Sequence, residues 1–177
     1  RLGLPIAVSF GLEGGVFSIA VLLMGLISLE AVAAHAVALQ IASLSFMVPM
    51  GLSQAATVRV GIGYGRRDPA MIRRAGWTSF GIAIAFMCAT ASIIIAVPEM
   101  LVGIFLDLGE AINAPVTKLA IDFLFIAAVF QIVDGAQVTG QGMLRGLQDT
   151  RVPMFIAAFG YWGAGIGSGL FLAFVLG

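Results

Sequence analysis

Apolar residues run along this chain in five long stretches, separated by short clusters of charged and turn-forming residues. Crossing the hydrocarbon of a bilayer takes ~20 mostly apolar residues in a helix. The pattern therefore predicts membrane helices at about 5–27, 32–60, 77–97, 116–144 and 153–176. The second and fourth are longer than a minimal span, which predicts tilt or protrusion into water. Pro49 falls inside the second; it lacks a backbone donor and predicts a kink there. Between the third and fourth stretches, Met100–Phe105 is apolar but short, as expected of a surface helix lying along the membrane interface. The 177 residues show no convincing internal repeat.

Composition narrows the class. The chain is 60% hydrophobic and 10% charged, with a mean hydropathy of +1.09. A soluble domain carries roughly 25% charged residues, so this composition builds an all-α integral membrane protein and not a water-soluble globule. The zero net charge conceals a segregation. Arg1, Arg59, Arg66, Arg67, Arg73, Arg74, Arg145 and Arg151 fall on one side if the helices alternate, with Trp77 as an interface anchor. Lys118 falls on the other, with Glu30, Glu99, Asp107, Glu110 and Asp122. The positive-inside rule makes the arginine side, and with it the N-terminus, cytoplasmic. Cys88 is the single cysteine, so no intrachain disulfide can form. An odd number of spans and the absence of an initiator Met lead us to expect a piece of a longer polypeptide.

Two charges sit where charge is expensive. Glu13 and Asp134 each lie inside an apolar run, and an ionisable group at mid-membrane costs at least ~2.5–3.5 kcal/mol on insertion scales. Helix rise places Glu13 ~12 Å and Asp134 ~15 Å from the arginine side, so the two can face a common cavity. Gln131, Asp134, Gln137 and Gln141 share a broad face of the fourth helix. Gln40, Ser43, Gln54 and Thr57 do so on the second. Amides of this kind serve as interhelical glue or as cavity lining. A carboxylate is a poor structural adhesive; buried without a permanent cation it can hold a proton, or exchange it for Na⁺, which favours oxygen ligands. His35 alone cannot make a metal or catalytic site, and the context of the two acids does not match an intramembrane aspartyl protease. No filter-like segment suggests a channel. Gly61-Ile-Gly63-Tyr-Gly65 lacks the strand and the Lys of a nucleotide loop. These residues point to a transporter and not to an enzyme.

Several motifs in order carry a family resemblance. Ala33-Ala-His35-Ala-Val-Ala-Leu-Gln40, Ser45-Phe-Met-Val-Pro49-Met-Gly-Leu-Ser-Gln-Ala55-Ala-Thr-Val-Arg59-Val-Gly61 and Gly65 resemble one helix of the C-terminal lobe of MATE (multidrug and toxic compound extrusion) transporters, NorM-type branch. Gln131-Ile-Val-Asp134-Gly-Ala-Gln137, Gly142-Met-Leu-Arg145-Gly-Leu-Gln-Asp149-Thr150 and Tyr161-Trp162 resemble later helices of that lobe; Leu4-Pro5-Ile6 with Glu13 resembles its first. The resemblance spans essentially the whole chain. It implies most of one six-helix lobe of a twelve-helix transporter, lacking the N-terminal lobe and the last helix. It also implies export of cationic, often aromatic compounds against Na⁺ or H⁺ across a bacterial inner membrane, with no other cofactor. Glu13 and Asp134 match the acids that hold the coupling cation in this branch. Phe130, one turn before Asp134, stands where the family often has Tyr, which leaves the coupling ion open. Gln40, Gln54, Phe130, Gln131, Gln137 and Gln141 are candidate cavity lining. Expected partners are cationic small molecules, membrane lipid and the missing lobe, with no nucleic acid. Two alternatives remain: a lipid-linked precursor flippase of the same superfamily, marked by extra basic residues in its cavity, and a non-transporting membrane fragment.

Overall fold

The computed structural model describes residues 3–159, apart from the side chains of 4, 5, 10, 13, 17, 156 and 157. All regular structure in that range is helical. Helix α1 covers Gly3–Ile27, α2 Leu29–Gly65, α3 Pro69–Ala96, the short α4 Pro98–Val102, α5 Ala114–Gly146 and α6 begins at Arg151–Ala157. A single 3-10 turn, Ala111–Asn113, leads into α5. Four of these helices, α1, α2, α3 and α5, are long and apolar enough to cross a membrane. Most of the expected fifth span, including Tyr161, Trp162 and the glycines from Gly160 on, lies outside the described residues.

The helices outrun their hydropathy. At ~1.5 Å per residue α2 is ~55 Å long and α5 ~50 Å, well beyond the ~30 Å of hydrocarbon. Helix α2 runs unbroken through a buried Pro49 to Gly65, five residues past its apolar stretch. Helix α3 starts at Pro69, not near Trp77. Asp68 accepts a hydrogen bond from the Met71 N–H at 3.0 Å and Pro69 occupies the first turn, a start signal independent of hydrophobicity. The connection between them is consequently only Arg66–Asp68. Arg67 adopts a left-handed φ of 54°, which lets the Asp68 N–H reach back to the Gly63 carbonyl at 3.0 Å. The α5–α6 turn repeats this device. Gln148 has φ 63°, the Asp149 N–H bonds the Leu144 carbonyl at 2.9 Å, and the Asp149 carboxylate accepts from the N–H groups of Arg151 and Val152.

Helices α2, α3 and α5 pack against one another along their lengths, while α1 lies against α2 and α6. The outer half of the core is built from small residues, Ala34, Ala38, Ala91, Ala120 and Ala128, around Leu124, with Val102 of α4 closing it. Small side chains let helix backbones approach where lipid supplies no hydrophobic drive. Toward the arginine end, α2 and α5 come closer still. The Ser53 hydroxyl donates to the Val138 carbonyl at 2.7 Å and the Thr57 hydroxyl to the Gly142 carbonyl at 2.9 Å. A Cβ on Gly142 would strike the Ser53 carbonyl oxygen, and one on Gly146 would lie 2.8 Å from the Thr57 oxygen.

Because α2 and α5 run parallel in this register, their C-terminal ends meet. Arg59, Arg66, Arg67, Arg73, Arg74, Arg145 and Arg151 therefore share one end of the bundle. Glu30, Glu99, Asp107, Glu110 and Asp122 share the other with Lys118. The sides facing away from the helix contacts carry Leu22, Leu44, Met47, Ile82, Ile126 and Val129, all exposed. Such an uninterrupted apolar exterior suits lipid and not water. The expected short helix is present as α4, and it and the following turns expose Met100, Ile104, Phe105 and Ile112 at the acidic end.

Candidate functional site

A cavity of about 540 Å³ opens between α1, α2 and α5. Helix α5 supplies Phe130, Gln131 and Asp134, which the helical repeat places on one face. Helix α2 supplies Gln40, Ser43 and Phe46 from a facing stretch, and Val21 closes the α1 side. The remaining lining is small and aliphatic. The volume falls within the range of small-molecule sites, ~300–1,000 Å³. Among the described residues, two aromatic side chains, a single carboxylate and no basic side chain give it the chemistry to hold an organic cation.

Within this cavity Gln131 is the unusual group. It is buried, and its amide nitrogen reaches the Thr90 hydroxyl of α3 at a long 3.4 Å. That hydroxyl donates in turn to carbonyls of its own helix, those of Phe86 and Met87. The Gln131 Oε1 has no hydrogen-bond partner among the described residues. A buried acceptor without a donor is costly, by ~1–3 kcal/mol. One turn further along, the half-buried Asp134 adds its carboxylate. Two oxygen donors on adjacent turns are what a hard monovalent cation, or a shared proton, would complete.

The structure thus brings Gln40, Phe130, Gln131 and Asp134 together around one cavity. Gln54, Gln137 and Gln141 are not in its lining; they lie nearer the arginine end. Gln54 is exposed, and the buried Gln141 accepts a hydrogen bond from the Arg145 guanidinium at 3.0 Å. Glu13 lies on α1, but its side chain is outside the described residues, so its approach to Asp134 is as well. Among the described residues α1 makes no close backbone contact with α5; the two helices meet only as walls of the cavity. His35 lies toward the acidic end of α2, edge-on to Phe123 at 6.2 Å. Sequence reasoning passed over Phe46 and Thr90. Thr90 bears on the site through Gln131 from a third helix, and no spacing within one helix reveals such a partner.

Comparison with known proteins places this architecture. The MatE family model matches residues 5–170. The chain belongs to the MatE family. This MatE chain is 54% identical over 177 residues to the "Probable multidrug resistance protein NorM" of Brucella suis biovar 1, covering 100% of the chain and 38% of that protein. It is 52% identical over 177 residues to the protein of the same name from Mesorhizobium japonicum, again 100% of the chain and 38% of the relative. The "Multidrug resistance protein NorM" of Burkholderia vietnamiensis is 47% identical over 176 residues, 99% of the chain and 38% of the relative. The MatE chain therefore spans about 38% of the length of these curated relatives.

Proposed function

We propose that this chain forms the C-terminal lobe of a multidrug exporter that drives cationic, aromatic compounds outward in exchange for Na⁺ or H⁺. Membership of the MatE family and the names of its relatives support export. The observation that carries the coupling role is the pairing of Asp134 with the unpartnered Gln131 Oε1 in one cavity. Glu13, on the neighbouring helix at comparable depth, supplies the second carboxylate.

A cation or proton at these oxygens neutralises the acid that Asp134 presents in the cavity wall. An organic cation held there by charge and by the Phe46 and Phe130 faces then loses its attraction. Exchange follows if the coupling ion favours one packing of α1 against α2 and the substrate favours another, since a ligand shifts a conformational equilibrium only by its differential affinity. With the arginine end in the cytoplasm of a bacterial cell, the chain starts inside the inner membrane. The absence of any basic side chain among the described lining residues disfavours the lipid-precursor flippase, whose cargo is anionic.

Efflux by the full-length protein carrying Glu13→Gln, Asp134→Asn or Gln131→Leu tests this. The two carboxylate variants should lose ion-driven efflux. Gln131→Leu should retain it with the half-saturating ion concentration raised about tenfold, as expected for one lost oxygen ligand worth ~1–1.5 kcal/mol. Wild-type efflux from both carboxylate variants would refute the coupling site.

A further inference from the structure

A second cavity, of about 580 Å³, lies at the arginine end of the bundle, between the last turns of α2 and the first turns of α3. Arg59 enters it from α2; Arg74, Thr78 and Ser79 line it from α3. Both guanidiniums are exposed, and neither makes a hydrogen bond or ion pair with any described residue. Arg66, Arg67 and Arg73, at the same end of the bundle, are exposed as well but do not line it. Asp68 is the one acid in the wall, and its carboxylate is engaged in capping α3 through the Met71 N–H. The cavity thus offers two guanidiniums and two hydroxyls to an anion, and the coupling mechanism uses none of them.

Depth and surroundings identify the anion. Arg59 lies ~9 Å below the end of α2, and α2 overshoots the hydrocarbon by enough to set these groups in the headgroup layer. Directly deeper on the same face of α3, Ile82, Ala85 and Ala89 follow Thr78 at helical spacing, and all are exposed. A polar cradle with an uncovered apolar strip beneath it matches a molecule with a phosphate head and a hydrocarbon tail. Guanidinium forks fit phosphate oxygens in two-point geometry. We propose that this cavity binds the phosphodiester of an anionic phospholipid, such as phosphatidylglycerol, with an acyl chain lying along the exposed strip of α3. The bound lipid ties the ends of α2 and α3 together at the membrane surface, apart from the cavity that holds Asp134.

The test is lipid retention by the full-length protein in detergent, read by native mass spectrometry during titration with phosphatidylglycerol or phosphatidylcholine of matched chains. The wild-type protein should prefer phosphatidylglycerol. Basic residues near an anionic headgroup each contribute about fivefold, so Arg59→Gln with Arg74→Gln should weaken that preference roughly 25-fold. Asp68→Asn keeps a good helix cap while removing the opposing charge, and should strengthen it. Lys118→Gln, at the opposite end, should leave it unchanged. Arg59→Lys with Arg74→Lys should restore part of it, which separates loss of charge from loss of fold. Equal retention of the two lipids, or a preference that survives the double Gln variant, overturns the proposal. So does displacement of the lipid by soluble glycerophosphoglycerol at equal concentration, which would assign the cradle to a soluble phosphodiester. None of these readouts depends on ion-coupled export, so the two proposals stand or fall separately.

Discussion

Single residues decide how closely the helices of this bundle can lie. Gly142 and Gly140 occupy the same helix, two residues apart, and have opposite surroundings. A Cβ at Gly142 meets the Ser53 backbone, whereas nothing lies within 4 Å of one at Gly140. Gly142→Ala should therefore force α2 and α5 apart and break the Thr57–Gly142 and Ser53–Val138 hydrogen bonds, at about 1–3 kcal/mol. Gly140→Ala should be neutral or stabilising by up to about 1 kcal/mol, because alanine has less conformational freedom than glycine in the unfolded chain and so loses less on folding. Thermal unfolding in detergent measures the pair; equal effects of the two would rule out close packing at this seam. The same contrast bounds what the sequence could reveal. Asp134, Phe130 and Gln131 were legible because a polar or family-atypical residue in an apolar helix stands out. The difference between Gly140 and Gly142 was not, since it arises from Ser53 on another helix, far away in sequence.

Elements were legible in existence and less so in extent. Hydropathy locates the part of a helix that crosses hydrocarbon, and α1 matched its forecast closely because its one internal charge, Glu13, interrupts the apolar run without ending it. Helices α2 and α3 did not, because Arg59, Arg73 and Arg74 end the apolar run without ending the helix. Capping chemistry marks the true limits: Asp68-Pro69 opens α3, and the left-handed residues Arg67 and Gln148 close α2 and α5. At both closures an ordinary side chain occupies a conformation that favours glycine. The Gln148 side chain is exposed, so Gln148→Gly sacrifices little packing. It should stabilise the protein by about 1 kcal/mol by relieving the left-handed strain, raising Tm. A fall in Tm would mean that the Gln148 side chain holds the α5–α6 turn in a way its exposure does not suggest.

At the scale of the whole molecule, the distribution of charge carries the orientation. Parallel packing of α2 and α5 gathers the arginines at one end and most acids at the other, so a single choice of side fixes every loop. Cys88, on the exposed flank of α3, makes that choice measurable. It lies well within a span, and a thiol surrounded by hydrocarbon is out of reach of a polar reagent that stays in water. The protein with its native Cys88 should resist a membrane-impermeant maleimide both in intact cells and after permeabilisation. Asp107→Cys, in the exposed turn after α4, should label in intact cells. Arg67→Cys, at the α2–α3 turn, should label only once the membrane is opened. Reversal of the last two results would invert the topology and place the Arg59–Arg74 cradle against the outer leaflet. Labelling of Cys88 in intact cells would instead mean that this flank of α3 faces an aqueous path, and the acyl-chain strip beside Ile82 would have to be abandoned.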